Sequence, residues 1–149
     1  MSNTIRTVVT AAVIATLVAV PARAGAPMQA QDNNSDIAIL ARDFSRYRAR
    51  LKAAPDARDP ELWNWGGPLH ATMCRLGEEL GNGTHTERDV RRAMGRPDKE
   101  FRGGAWTGVL WVPRDEKHLI YWWRGGHDYL YFVVKRGRVD SARWWSALE

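Results

Sequence analysis

Four groups of residues in this chain have the types and spacing that chemistry or recognition requires. His118 and His127 are the candidates for acid–base work in a small secreted hydrolase, because imidazole changes charge near neutral pH. Asp128, directly after His127, supplies a carboxylate that can orient an imidazole. Adjacent residues on an extended chain point to opposite sides, however, and no nucleophile motif or pair of carboxylates accompanies them. His70 and Cys74 stand four apart, a metal-ligand spacing on a helix, but no second pair completes a zinc site, so neither a metal nor a cofactor is expected. Trp63 and Trp65, inside Trp-Asn-Trp-Gly-Gly, can form a stacking platform for a glycan or plug the edge of a small core. The fourth group is Tyr121, Trp123, Tyr129 and Tyr131 with Arg124 and Arg143, the aromatic and arginine types that anchor contacts between proteins.

These residues lie in or beside an aromatic tail that reads as an antiparallel meander. Its runs are Ala105–Val112, His118–Arg124, Asp128–Lys135 and Arg138–Trp144, rich in β-branched and aromatic residues and separated by turn chemistry. Short connections at residues 113–117, Gly125-Gly126 and Arg136-Gly137 make successive strands antiparallel neighbours, in the order 1-2-3-4. A three-residue loop around Gly125-Gly126 places Ile120 and Trp122 with Leu130, Phe132 and Val134, the more aliphatic side and the expected core. A two-residue turn at Arg136-Gly137 brings Val139 opposite Val134 on that side. Tyr121, Trp123, Tyr129 and Tyr131 then occupy the other face.

Upstream, Ile37, Leu40, Phe44, Tyr47 and Leu51 recur at helical spacing behind a cap at Ser35 or Asp36, which predicts a helix over about 36–54. Its opposite side carries Arg42, Asp43, Arg46, Arg50 and Lys52, a solvated face. Residues 53–60, with two prolines, read as a linker, and residues 61–67 as an extended or looped segment. A second helix follows over about 68–80, opened by Pro68 and closed by Gly81-Asn82-Gly83. A third covers about 86–94, with Thr86 as cap, Asp89 reaching back to it, Gly95 at the stop and Pro97 preventing resumption. The expected class is α+β, with two to three helices packed on a four-stranded antiparallel meander in a single domain over residues 35–149.

The N-terminus reads as an address. Arg6 precedes the apolar run from Val8 to Val20, and Ala22-Arg23-Ala24 ends it with small residues at the cleavage positions, so residues 1–24 are expected to be a signal peptide. The run is too short to span a bilayer, and no cysteine follows it to take a lipid, so no stable anchor is expected after cleavage. Residues 25–34 read as a disordered leader. The lone Cys74 excludes an internal disulfide in the oxidising compartment that export implies. The formal charge of +5 falls to +3 without Arg6 and Arg23, too mild and too dispersed to argue for nucleic acid.

The run Gly83 to Asp98 resembles the helix-turn of the SmpA/BamE family of small outer-membrane lipoproteins, in which a Gly-Thr start, a helix with an inward Val and a Met-Gly-x-Pro stop precede a β-meander. The segment Leu130 to Val139 is similar to that family's last hairpin, and the likeness covers about Met73 to Val139. It implies the fold shared with β-lactamase inhibitor proteins and an exported, non-catalytic protein that binds other proteins of the bacterial envelope. The functional expectation is therefore a periplasmic or secreted binding module whose aromatic sheet face and neighbouring loops contact a protein partner; the competing reading is that the helix over about 36–54 covers this face and its aromatics are core. A hydrolase using His127 or His118 and a glycan or cell-wall binder using Trp63 and Trp65 are the alternatives.

Overall fold

The computed structural model describes residues 28–54, 59–108 and 110–147. The proposed signal peptide at residues 1–24 lies outside them. The fold is α+β. Helices α1 (Met28–Ala53), α2 (Pro60–Trp63), α3 (Pro68–Leu80) and α4 (Glu87–Met94) precede strands β1 (Lys99–Arg102), β2 (Glu116–Arg124), β3 (Asp128–Lys135) and β4 (Arg138–Ser146). The strands form one antiparallel sheet in the order β1-β2-β3-β4.

The helices lie on a single face of the sheet. Leu40, Phe44 and Tyr47 of α1, Leu69, Met73 and Leu76 of α3, and Val90 and Met94 of α4 share one core with Leu119, Tyr121, Trp123, Leu130, Phe132, Val134 and Val139. Each fully buried aliphatic or aromatic side chain of this kind contributes about 1.5–3 kcal/mol relative to exposure. Close approach is built into α3: a Cβ on Gly81 would stand 2.6 Å from that of Ala142 on β4, so only glycine lets this helix end settle on the strand.

Local capping sets the start of α4. In α4 the Thr86 hydroxyl accepts from the Asp89 N–H at 3.4 Å while Asp89 accepts from the Thr86 N–H at 2.9 Å, completing the expected capping box. The helix start is tied to the sheet as well, because the Glu87 N–H donates to the Gly137 carbonyl and the Val139 N–H to that of His85. The Thr86 bonds hold the Asp89 carboxyl below the ordinary aspartate range. A lowered folded-state pKa gives stability that is present above the unfolded value of about 3.9 and lost as pH falls through the folded one. Thr86→Ala is thus expected to cost about 1 kcal/mol at pH 7 and less at about pH 3. Urea unfolding at both pH values measures this, and an equal cost at each would show that the carboxylate adds nothing.

Four expectations need correction. Ala105–Val112 is not a strand of the sheet; the first strand is the polar edge segment Lys99–Arg102, paired with residues 117–120 of β2. Helix α1 begins at Met28, inside the segment read as a disordered leader, because the backbone continues the turn upstream of the expected cap. Part of the segment read as extended or looped is the one-turn helix α2, capped by the Asp59 side chain on the Glu61 N–H at 3.0 Å.

The fourth correction concerns the faces of β2. The tip loop is the expected three residues, with Arg124 opposite Asp128, but Trp122 pairs with Tyr129, so Trp123 is an extra residue in β2. That bulge moves the register by one and exchanges the two sides of the strand. Tyr121 and Trp123 therefore face the helices, and Ile120 and Trp122 face away. The turn at Arg136-Gly137 is as expected, with both residues at positive φ (51° and 80°) and Val134 opposite Val139.

Candidate binding surface

The side of the sheet that carries no helix is aromatic. Ile120, Tyr129, Tyr131 and Val133 form a second cluster, with Phe101, Leu110, Trp122 and Trp145 packed against it. Tyr129 stacks on Trp145 at 6.4 Å between ring centroids and meets Tyr131 edge-on at 6.1 Å. Burial pushes the Tyr129 phenol up to about 12, with the neighbouring Tyr131 adding to the shift. The two tyrosines are only 5% and 7% exposed, so they underlie this surface rather than form its outer layer. Lys99 lies 5.9 Å from the Trp122 ring centroid, and Arg143, opposite Tyr131 on β4, is exposed at the margin.

Beside this face stands the feature that strand-like composition concealed. The run from Ala105 to Val112 folds on itself. The Val112 N–H donates to the Ala105 carbonyl, the Gly104 N–H to that of Val112 and the Thr107 N–H to that of Leu110, each at 2.9 Å. Leu110 also donates its N–H to the Thr107 hydroxyl at 2.9 Å. Gly103 is needed where the chain crosses itself, since a Cβ there would lie 2.1 Å from the Arg114 carbonyl oxygen. Alternation turns Val112 fully inward and Leu110 onto the tyrosine cluster, while Trp106 and Trp111, directly opposite each other, point out at 59% and 60% exposure.

The other candidates are placed differently. Tyr121 is fully buried, donating its hydroxyl to the Gly95 carbonyl at 3.0 Å, and burial raises its pKa. Trp123 is 1% exposed and donates its indole N–H to the Leu62 carbonyl at 2.6 Å. Neither is available to a partner. Arg124 lies over the rings of Trp123 (4.6 Å) and Trp65 (5.2 Å) and pairs with buried Asp128 at 2.7 Å, which also accepts from the Ser146 hydroxyl at 2.8 Å. Trp63 packs against the core edge, and Trp65 is set edge-on between His70 and Trp123, each 4.7 Å away. One face of the glycan platform is thus occupied by a guanidinium, and the two tryptophans serve different surroundings.

His70 sits among Trp65, Trp123 and Trp144, and burial lowers its pKa, with nearby Arg124 adding to the shift. The Cys74 sulfur is 3.6 Å from its Nε2, and burial, followed by the charge of Glu78, raises the thiol pKa, which favours the thiol over the thiolate. Among the described residues no cluster of three or more His, Cys, Asp or Glu could hold a metal ion. His118 is buried on the helix-free side, its Nε2 2.9 Å from Glu116 and its ring 5.3 Å from Tyr131, while His127 is exposed at the hairpin tip. Asp128 turns away from His127 to Arg124, so the two adjacent residues do not form a pair.

Protein-family models, curated proteins and solved structures yield no match to this chain. No helix among the described residues is long and apolar enough to cross a membrane.

The sequence places Trp106 and Trp111 inside the strand-like run Ala105–Val112 and outside the candidate site residues. The available signal was their bracketing by Gly103-Gly104 and Pro113, which separates the run from a regular sheet strand.

Proposed function

We propose that this protein is an exported, non-catalytic binding module of the bacterial envelope, which holds a protein partner on its helix-free sheet face and the adjoining Trp106–Trp111 hairpin. The observation that carries the reading is the pair of cross-strand tryptophans, both mostly exposed yet fixed on a backbone-bonded loop. Ordered aromatic side chains supply large contact area at small entropic cost, which suits them as interface anchors. Trp122 and Trp145 extend the apolar surface, and Arg143 provides charge at its rim. Export is supported by the apolar run ending at Ala22-Arg23-Ala24, and an envelope role by the SmpA/BamE-like segments.

The test is cross-linking and affinity recovery from the native envelope with the wild-type chain and with a Trp106→Ser, Trp111→Ser double variant. Losing two anchors of about 2 kcal/mol or more each should weaken retention of a specific protein by about a hundredfold or more. The unfolding midpoint should stay unchanged. Equal recovery by both chains overturns the surface. Recovery of peptidoglycan or polysaccharide in place of a protein, with quenching of tryptophan fluorescence, would favour the glycan reading.

A further inference from the structure

The helical layer carries a second feature, unlike the aromatic face in chemistry. Between α1 and α4 runs a cleft of about 580 Å³ walled by Arg42, Arg48, Lys52, Arg92 and Arg96, with no carboxylate in its lining. Its floor is apolar, formed by Phe44, Ala93 and Met94. A smaller cleft of about 300 Å³ shares Ala41, Arg92 and Ala93 with it and continues it toward Ile37, Leu80, His85 and Asp89, whose carboxylate is held by Thr86.

The cations are unequally engaged. Arg48 is fixed by Asp98 through two bonds of 2.6 and 2.7 Å. Arg42 and Arg92 are mostly exposed, with loose contacts of 3.9 Å to Asp43 and 3.5 Å to Asp89. Those two carboxylates have closer partners, Arg46 at 3.3 Å and the Thr86 hydroxyl at 2.6 Å. Lys52 and Arg96 are exposed and have no carboxylate partner among the described residues. Positive charge is therefore concentrated along a groove whose nearby acids are already committed elsewhere.

From Ile37 to Lys52 the groove follows about 22 Å of helix, the span of about six or seven residues of extended chain. From this length, the charge and the two-part lining we propose that the α1–α4 groove is a docking site for an extended acidic peptide segment of a partner protein. Carboxylates of that segment lie along the arginine and lysine walls. An apolar side chain seats at the Ile37–Leu80 end, against Ile37, Ala38, Ala41 and Leu80 and clear of the Asp89 carboxylate that also lines this cleft. The site is separate from the tryptophan hairpin and does not depend on it.

Fluorescence anisotropy of the intact chain tests the assignment, with a labelled peptide of alternating aspartate and leucine long enough to fill the groove. It should bind at least about tenfold more tightly than its asparagine–leucine counterpart and should weaken in about 0.5 M NaCl. Lys52→Glu with Arg96→Glu should lower affinity by about tenfold or more, with circular dichroism unchanged. Arg102→Glu with Arg114→Glu makes the same charge change at exposed positions outside the groove lining and should have little effect. Equal binding of the two peptides overturns the proposal, as does equal weakening by the two pairs of variants, which would reduce the attraction to overall charge. An aspartate–serine peptide that binds as well as the aspartate–leucine one overturns the apolar seat.

Discussion

Trp123→Ala is expected to destabilise the protein by about 3–5 kcal/mol, the range for removing a large aromatic side chain from a packed interior. The position concentrates several contacts. Its indole lies edge-on to Trp144 at 6.1 Å and to Trp65 at 4.7 Å, carries the Arg124 guanidinium, and holds α2 to the sheet through the Leu62 carbonyl. Alanine leaves a cavity, an unpaired buried carbonyl and an arginine without one of its stacking surfaces. The neighbouring Trp122→Ala removes the same atoms from a half-buried side chain on the opposite face and should cost less than half as much. Urea denaturation followed by far-ultraviolet circular dichroism distinguishes them. Equal costs, or a larger one at Trp122, would contradict the bulge that gives the two tryptophans their faces.

Asp98→Ala is the second large effect, at about 2–4 kcal/mol. One carboxylate, just before β1, accepts two bonds from Arg48 on α1 and a third from the Trp122 N–H at 2.8 Å. Arg48 also reaches the Trp122 carbonyl at 3.4 Å. Helix, edge strand and bulged strand are thereby joined at one point whose side chains are 14% and 19% exposed. Removing the acid leaves a largely covered guanidinium without its counter-charge and a strand N–H without its acceptor, which costs more than the pair contributes when intact. Asp98→Asn keeps one acceptor and should lose less. The cost should change little between about 0.1 and 1 M NaCl, because a shielded pair is screened less than a surface one. A loss below about 0.5 kcal/mol would place the pair among ordinary surface ion pairs.

Local chemistry was legible in the sequence. The boundaries of α3 and α4, the three-residue loop at the β2–β3 tip, the turn at Arg136-Gly137 and the antiparallel order of the last three strands all followed from residues within one turn of each other. Proline, glycine and a threonine cap act on the backbone beside them, so they operate whatever the rest of the chain does. The α+β class follows from the same signals taken together.

The candidate surface was legible only in part. Of the four aromatics placed on one face, Tyr129 and Tyr131 lie on the helix-free side, with Arg143 at its rim, whereas Tyr121 and Trp123 belong to the core under the helices. One extra residue at Trp123 reverses a strand, and alternation cannot register it because both sides of β2 are apolar and aromatic. The true edge strand Lys-Glu-Phe-Arg has almost no hydrophobic signal, whereas the run after it has the composition of a strand and pairs with itself. Composition says that a segment suits a pleated backbone; which partner it pairs with is decided by the close crossing of Gly103 and Arg114 and by the burial of Leu110 and Val112. Through those long-range contacts the tertiary structure, and not the sequence pattern, leaves Trp106 and Trp111 facing outward.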